Sequence, residues 1–277
     1  MKDLPAPLST TESCDLTVDD TAVTLAVTHR VGQRTPVLFL HGFGSTKEDF
    51  TDFLLKPEFI DRGFVAYDAP SCGRSSCTVP ARLSIPFLVR TAEAVLDLLG
   101  IQRFHLVGHS MGALTALELS HRYPARVMSF TNIKGNLAPE DCFLSRQVFD
   151  YPASDDQAFF QDFVERTYRA PFYGSALYAI SLQLKAQAES VRPIFSSMVE
   201  FSDKGDLLAK FLALPFPCIF MYGEQYETLS YLPRLAASKI HMARIPDSGH
   251  FPMYSNPPAM WQHISKAIAL GETTQRD

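Results

Sequence analysis

A chain of 277 residues suits one large α/β domain or two small ones and can bury a sizeable core. With 46% hydrophobic, 20% charged and 12% aromatic residues, collagen-like, low-complexity and disordered classes are excluded. Lys+Arg 25 against Asp+Glu 30 leaves a net charge of -5 and no basic block, so nothing favours a nucleic-acid groove.

In chain order, Met1 to Asp20 carries Pro5, Pro7 and several acids but no apolar core, which does not read as a signal peptide. From Asp15 to Val31 apolar residues alternate around Asp19-Asp20, the pattern of an antiparallel hairpin. Short apolar runs follow at Pro36–Leu40, Phe64–Tyr67, Phe104–Val107, Val127–Ile133 and Cys218–Tyr222. Runs of this kind suit strands buried on both faces of a parallel sheet. Helical spacing covers Ile85 to Leu99, ending at Gly100, then Met111 to Tyr123, stopped by Pro124, and Pro257–Leu270, ending at Gly271. The alternation predicts an α/β fold with a mostly parallel sheet flanked by helices.

One stretch, 136–213, breaks that alternation. It holds helical fragments (Asp155–Tyr168, Ser175–Glu189, Asp206–Leu212) and no strand, so we read it as a helical insertion over one end of the sheet. The core is then 1–135 with 214–277. Of the 32 aromatic residues, 13 fall in this insertion. No run of about 18 apolar residues exists, so no membrane span is expected. Five cysteines at 14, 72, 77, 142 and 218 lack CxxC spacing or nearby histidines. They read as reduced structural thiols, with no metal site, and a cytoplasmic location is expected.

The strongest motif is Gly108-His109-Ser110-Met111-Gly112, a GxSxG between a predicted strand and a predicted helix. Small residues at Gly108 and Gly112 let backbone and helix approach closely and lift Ser110 Oγ above the sheet. The following helix N-terminus favours developing negative charge.

Here the sequence resembles the α/β-hydrolase superfamily over nearly its whole length. His41-Gly42-Phe43-Gly44 looks like the family's oxyanion loop, and the resemblance implies that the N–H of Phe43 joins that of Met111 in holding an oxyanion. Asp68-Ala69-Pro70-Ser71-Cys72-Gly73-Arg74-Ser75 resembles the bracing DxPGxGxS turn. Ser248-Gly249-His250-Phe251-Pro252 resembles the segment carrying the catalytic histidine, in the family order of nucleophile then base. The chemistry implied is acyl transfer to water, with Ser110 as nucleophile and His250 as base. A serine at the elbow argues against the Asp-based dehalogenases and epoxide hydrolases of this fold.

The family's triad acid has no counterpart at either usual position. Tyr226 stands three residues beyond Gly223, where the acid is expected, and Lys134 stands at the alternative place after the preceding strand. Three arrangements stay open. Glu227, one step further along, or Glu224 reaches His250. Alternatively, a Ser–His dyad operates with Tyr226 or a water orienting the imidazole. In the third, the site is impaired or non-hydrolytic, with a cation at Lys134 opposing the imidazolium.

Blander readings apply elsewhere. His41 and His109 serve loop geometry, Cys72 and Cys77 are packing residues, Asp247 turns to solvent, and Lys134 on base rates is a solvated side chain at a strand end. Phe159, Phe160, Phe163, Tyr168, Phe172, Tyr173 and Tyr178 either line a pocket under a lid or merely form its apolar underside. The expected activity is cleavage of an ester, thioester or lactone of a small apolar substrate, without metal or cofactor. The alternatives are a non-hydrolytic lyase, isomerase or cyclase, and a ligand-binding protein that lost turnover. Oligomeric state is not legible.

Overall fold

The computed structural model describes residues 8–152, 155–170, 173 and 175–274. The hairpin forms as its alternation predicts, with β1 (Thr10–Val18) antiparallel to β2 (Thr21–Arg30). Asp19 and Asp20 between them have φ of 47° and 56°, the left-handed pair whose twist matches that of hairpin strands.

The apolar runs become β3 (Arg34–Leu40), β4 (Arg62–Tyr67), β6 (Phe104–His109), β7 (Val127–Ile133) and β8 (Cys218–Gly223). Two strands have no such run: β5 (Ser76–Cys77), which pairs with β2, and the edge strand β9 (His241–Ile245). Only Ala243 and Ile245 of β9 are buried, so its sequence lacks the continuous apolar signal. The order is β1-β2-β4-β3-β6-β7-β8-β9, parallel from β4 to β9 along this path.

Helices α1 (Ile85–Leu98) and α2 (Met111–Arg122) match expectation, and Ser84 caps α1 by accepting from Phe87 N at 3.3 Å. Between β7 and β8 lie α3 (Asp156–Arg169), α4 (Ser175–Lys185), α5 (Ala188–Lys204) and α6 (Leu207–Ala213). The fragment read as Ser175–Glu189 therefore stops at Lys185, and a second, longer helix follows. Pro193 sits inside α5, where a ring without an N–H costs roughly 3 kcal/mol. Burial of Val191, Ile194, Phe195 and Met198 along one face offsets that cost, a tertiary effect that local propensity does not carry. Short helices α7 (Leu232–Ala236) and α8 (Pro252–Ser255) precede α9 (Pro257–Thr273). Gly271 does not end α9. A Cβ there would stand 2.6 Å from Met128 O, so the residue serves close packing on β7.

The aromatic excess has a second home. Phe39, Phe50, Phe53, Phe59, Phe64 and Trp261 form one core cluster with ring centroids 4.3–6.3 Å apart. Because β3, β6, β7, β8 and β9 run parallel, the loops after their C-terminal ends gather on one side of the sheet. Those loops carry Phe43, Ser110, Lys134, Tyr226 and His250.

Candidate active site

Ser110 sits between β6 and α2 with φ 52° and ψ −118°, a left-handed conformation that a non-glycine residue adopts only under constraint. The constraint is steric. A Cβ at Gly108 would stand 2.6 Å from Ala113 Cα, and one at Gly112 would stand 2.2 Å from Leu40 O. Only glycines let the helix come this close to β3 and β6. Ser110 N donates to Ile133 O at 3.0 Å, and its carbonyl accepts from Ala113 N and Leu114 N at 2.9 and 3.0 Å.

The loop after β3 passes directly over this elbow, since a Cβ at Gly42 would lie 3.1 Å from Ser110 Cβ. Ala69 N donates to His41 Nε2 at 2.8 Å, which leaves the Nδ1–H to donate to Gly42 O at 2.7 Å. Burial holds His41 below its ordinary pKa and so neutral. Gly42 O also accepts from Ser45 N at 3.1 Å, and Phe43 O accepts from Tyr178 Oη at 2.8 Å. Among the described residues the N–H groups of Phe43 and Met111 have no partner, although both residues are buried.

Behind the loop, the Asp68 carboxylate accepts from Lys47 N, Lys47 Nζ and Arg74 N, each at 3.0 Å. This braces the Asp68–Ser75 turn. Burial pushes the Cys72 thiol up to about 12, which fits a packing residue rather than a reactive thiol.

His250 follows β9. His109 Nε2–H donates to its carbonyl at 2.7 Å, and burial lowers His109 to about 4, so His109 pins the loop as a neutral donor. The imidazole meets Tyr226, whose Oη lies 3.3 Å from Nδ1. Burial raises the Tyr226 phenol, so this partner is a neutral hydroxyl. Lys134 Nζ lies 4.7 Å from the Tyr226 ring centroid. Burial, His109 and Lys134 together hold His250 well below its ordinary pKa, because burial and the neighbouring positive charge disfavour an imidazolium.

The structure does not bring Glu227 to His250. Glu227 is exposed and paired with Arg244, while Glu224 accepts from Tyr173 Oη and Arg244. Asp247 is exposed, as expected. Lys134 is not a solvated strand-end residue: its side chain is 5% exposed and bonds Asp141, whose side chain is 1% exposed. Asp141 also accepts from Leu137 N, Ala138 N and Tyr231 Oη at 2.8, 3.0 and 3.0 Å. The sequence reading missed Asp141; its signal is a carboxylate three residues beyond Ala138, placed to cap the short turn Pro139–Cys142.

Ser110, His250, Phe43, Tyr226 and Lys134 line one cavity of about 530 Å³. Its insertion-side wall mixes apolar residues (Phe143, Leu144, Phe163, Tyr178, Phe195 and Met198) with polar and charged ones, among them Asn136, Glu140, Gln147 and Arg166. Of the aromatics singled out in the insertion, Phe163 and Tyr178 reach the cavity. Phe159 and Phe160 are buried outside its lining, Tyr168 and Tyr173 are exposed, and Phe172 lies outside the described residues. A groove of about 690 Å³ beside the end of β2 is larger but holds none of these groups. Among the described residues no cluster of three or more His, Cys, Asp or Glu could hold a metal ion, and no helix is long and apolar enough to cross a membrane.

A family model described as "Alpha/beta hydrolase family" matches residues 37–262. The chain is 29% identical over 181 residues to the "Putative carbamate hydrolase RutD" of Pantoea ananatis, covering 56% of this chain and 63% of that one. It is 31% identical over 102 residues to the 2-hydroxy-6-oxo-6-phenylhexa-2,4-dienoate hydrolase of Comamonas testosteroni, covering 36% of each. The matched segments thus span between about a third and just under two-thirds of these relatives. A thermophilic esterase from Thermogutta terrifontis superposes with a TM-score of 0.70 at 21% identity, over 96% of this chain and 98% of that one. At that identity the likeness is one of fold.

Proposed function

The chain belongs to the alpha/beta hydrolase family, and from that premise we propose that it is a serine hydrolase acting through an acyl-enzyme on an ester, thioester or lactone of a small apolar compound. The observation that carries this is a pair of N–H groups without a partner among the described residues: that of Met111, next to Ser110, and that of Phe43, in the loop whose Gly42 lies against Ser110. Ser110 Oγ attacks the substrate carbonyl while His250 Nε2 takes its proton. The oxyanion that forms is held by the N–H of Met111 at the start of α2 and that of Phe43 in the loop after β3. Each such donor is worth about 10²–10³ in kcat. Water then attacks the acyl-enzyme with His250 again as base.

For Nε2 to accept a proton, Nδ1 must carry one, and that N–H can donate a hydrogen bond to Tyr226 Oη, 3.3 Å away. Tyr226 therefore stands in for the triad acid as an orienting group, without a carboxylate's charge. Residues 136–213 act as the lid, and the aromatic and aliphatic side chains among those they supply, Phe143, Leu144, Phe163, Phe195 and Met198, fit the apolar part of the substrate.

The test is labelling by a fluorophosphonate probe together with turnover of short-chain nitrophenyl esters. Rapid labelling and turnover, both lost in Ser110→Ala, is the expected result. Absence of both in the wild-type protein rejects the proposal. One observation favours a second reading, acid–base chemistry without an acyl-enzyme: the Lys134 cation faces the ring that contacts His250. That reading gains if Ser110 stays unlabelled while a ligand still binds in the cavity.

A further inference from the structure

We propose that Tyr178, on helix α4 of the insertion, is a positioning residue that fixes the Phe43–Gly44 peptide and so couples the seating of α4 to the competence of the oxyanion site. The inference rests on the serine-hydrolase reading and adds to it a residue that no motif marks. Tyr178 is buried, and its hydroxyl donates to Phe43 O at 2.8 Å. Its ring stacks on Phe251 at 4.4 Å, and Phe251 in turn packs edge-on against His250 at 5.0 Å. One insertion side chain therefore touches both the oxyanion loop and the histidine loop.

The fit is close at Gly44, which has φ +69°. A Cβ there would lie 2.1 Å from Leu182 Cδ1 and 2.7 Å from Tyr178 Oη. Leu182 lies one helical turn beyond Tyr178, so the same face of α4 fills this space. The far end of α4 is tied as well. Gly73 N donates to Lys185 O at 2.8 Å, and Ala186 pairs with Cys72. Lys185 Nζ stands 3.9 Å from the buried Asp49 carboxylate. Leu177, Ile180 and Leu184 on its outer face are 57%, 65% and 83% exposed. Besides these inner contacts, α4 is held by packing along α3, so it can move with α3 while its contacts to the loops are lost. If α4 withdraws, Phe43 O loses its donor, and the peptides flanking Phe43 are free to rotate about the permissive Gly44.

Tyr178→Phe removes the hydroxyl and keeps the ring. Three quantities test it: kcat and KM on a nitrophenyl ester, and the Kd of phenylboronic acid, which forms a tetrahedral adduct on the serine. The expected result is a fall of about tenfold in kcat with KM within about twofold, below the 10²–10³ for losing a whole donor. The Kd for phenylboronic acid rises by a similar factor, which a purely structural role would not produce. By reciprocity, saturating phenylboronic acid slows amide hydrogen exchange in α4 of the wild-type protein. This second measurement decides the matter if Tyr178→Phe does not fold. Wild-type kcat in the variant, a rise in KM alone, or exchange in α4 indifferent to phenylboronic acid overturns the inference. If fluorophosphonate fails to label Ser110, the serine-hydrolase reading falls and takes this inference with it. Intact labelling with an unaffected Tyr178→Phe rejects the inference alone.

Discussion

Two groups of atoms meet His250 and they are built differently. On the Ser110 side, backbone geometry carries most of the positioning: the strained Ser110 backbone, the glycines that admit α2, and loop carbonyls that accept from the Ser45 N–H and the His41 and Tyr178 side chains. On the Nδ1 side, side chains do it: a phenol at 3.3 Å, with the Lys134 ammonium near its ring and the buried Asp141 beyond. Main-chain geometry of this kind tolerates little change, because each glycine is fixed by backbone atoms closer than any Cβ contact allows. A side-chain arrangement can be exchanged with the surrounding backbone intact. On the proposed mechanism, the departure from the usual triad falls where the scaffold permits it, and the contrast can be tested from the side-chain half.

The largest effect expected there is on stability. Lys134→Met leaves the Asp141 carboxylate buried without its cation. Breaking a buried pair in this way costs about 3–5 kcal/mol. We expect the lower end, about 3 kcal/mol by denaturant titration, because Leu137 N, Ala138 N and Tyr231 Oη still bond Asp141. A loss below about 1 kcal/mol would place the pair among those that contribute little. The ester-hydrolysis pH profile of the same variant reads the other consequence. Removing a cation that opposes the imidazolium raises the His250 pKa, so the acid limb of kcat/KM moves to higher pH.

Tyr226→Asp comes next. On the proposed mechanism the neutral imidazole is the base, so activity is lost as pH falls through the His250 pKa. Burial, His109 and Lys134 depress that pKa, and the wild-type protein should stay active below the usual histidine range near 6.5. A carboxylate at position 226 favours the charged imidazole, so its pKa rises and the acid limb shifts upward. Turnover at neutral pH should increase about tenfold, well short of the 10⁴ attached to a full triad acid, because Lys134 competes for the new carboxylate. A fall in turnover with an unshifted limb would mean that the phenol does more than orient the ring.

The same contrast explains what the sequence could convey. Ser110, Phe43, Met111 and His250 stand in local motifs whose glycines and apolar runs dictate backbone shape, and the five main strands read out for the same reason. The Lys134–Asp141 pair depends on how 135–140 turns, and α5 forms across Pro193 only because the insertion packs around it. Strand β9 shows too few buried positions to announce itself. Tyr178 sits on a helix that the spacing predicts, yet its partner Phe43 is 135 residues away. Side-chain partners set by long-range packing leave no local pattern.

Glu227 is the sharpest instance, and it gives the smallest expected effect. One step past Tyr226, its longer side chain is the obvious substitute acid when spacing alone is considered. The strand that settles its fate is β9, where Arg244 draws the carboxylate outward. Both side chains are 48% exposed, and an ion pair so solvated contributes at most about 1 kcal/mol. Glu227→Gln should therefore change kcat by less than about twofold, move no limb of the pH profile, and lower stability by no more than about 0.5 kcal/mol. A fall of orders of magnitude would require Glu227 to leave Arg244 and reach Nδ1 during turnover, displacing Tyr226. Such a result would turn the phenol from the orienting group into a resting-state occupant of the acid's place.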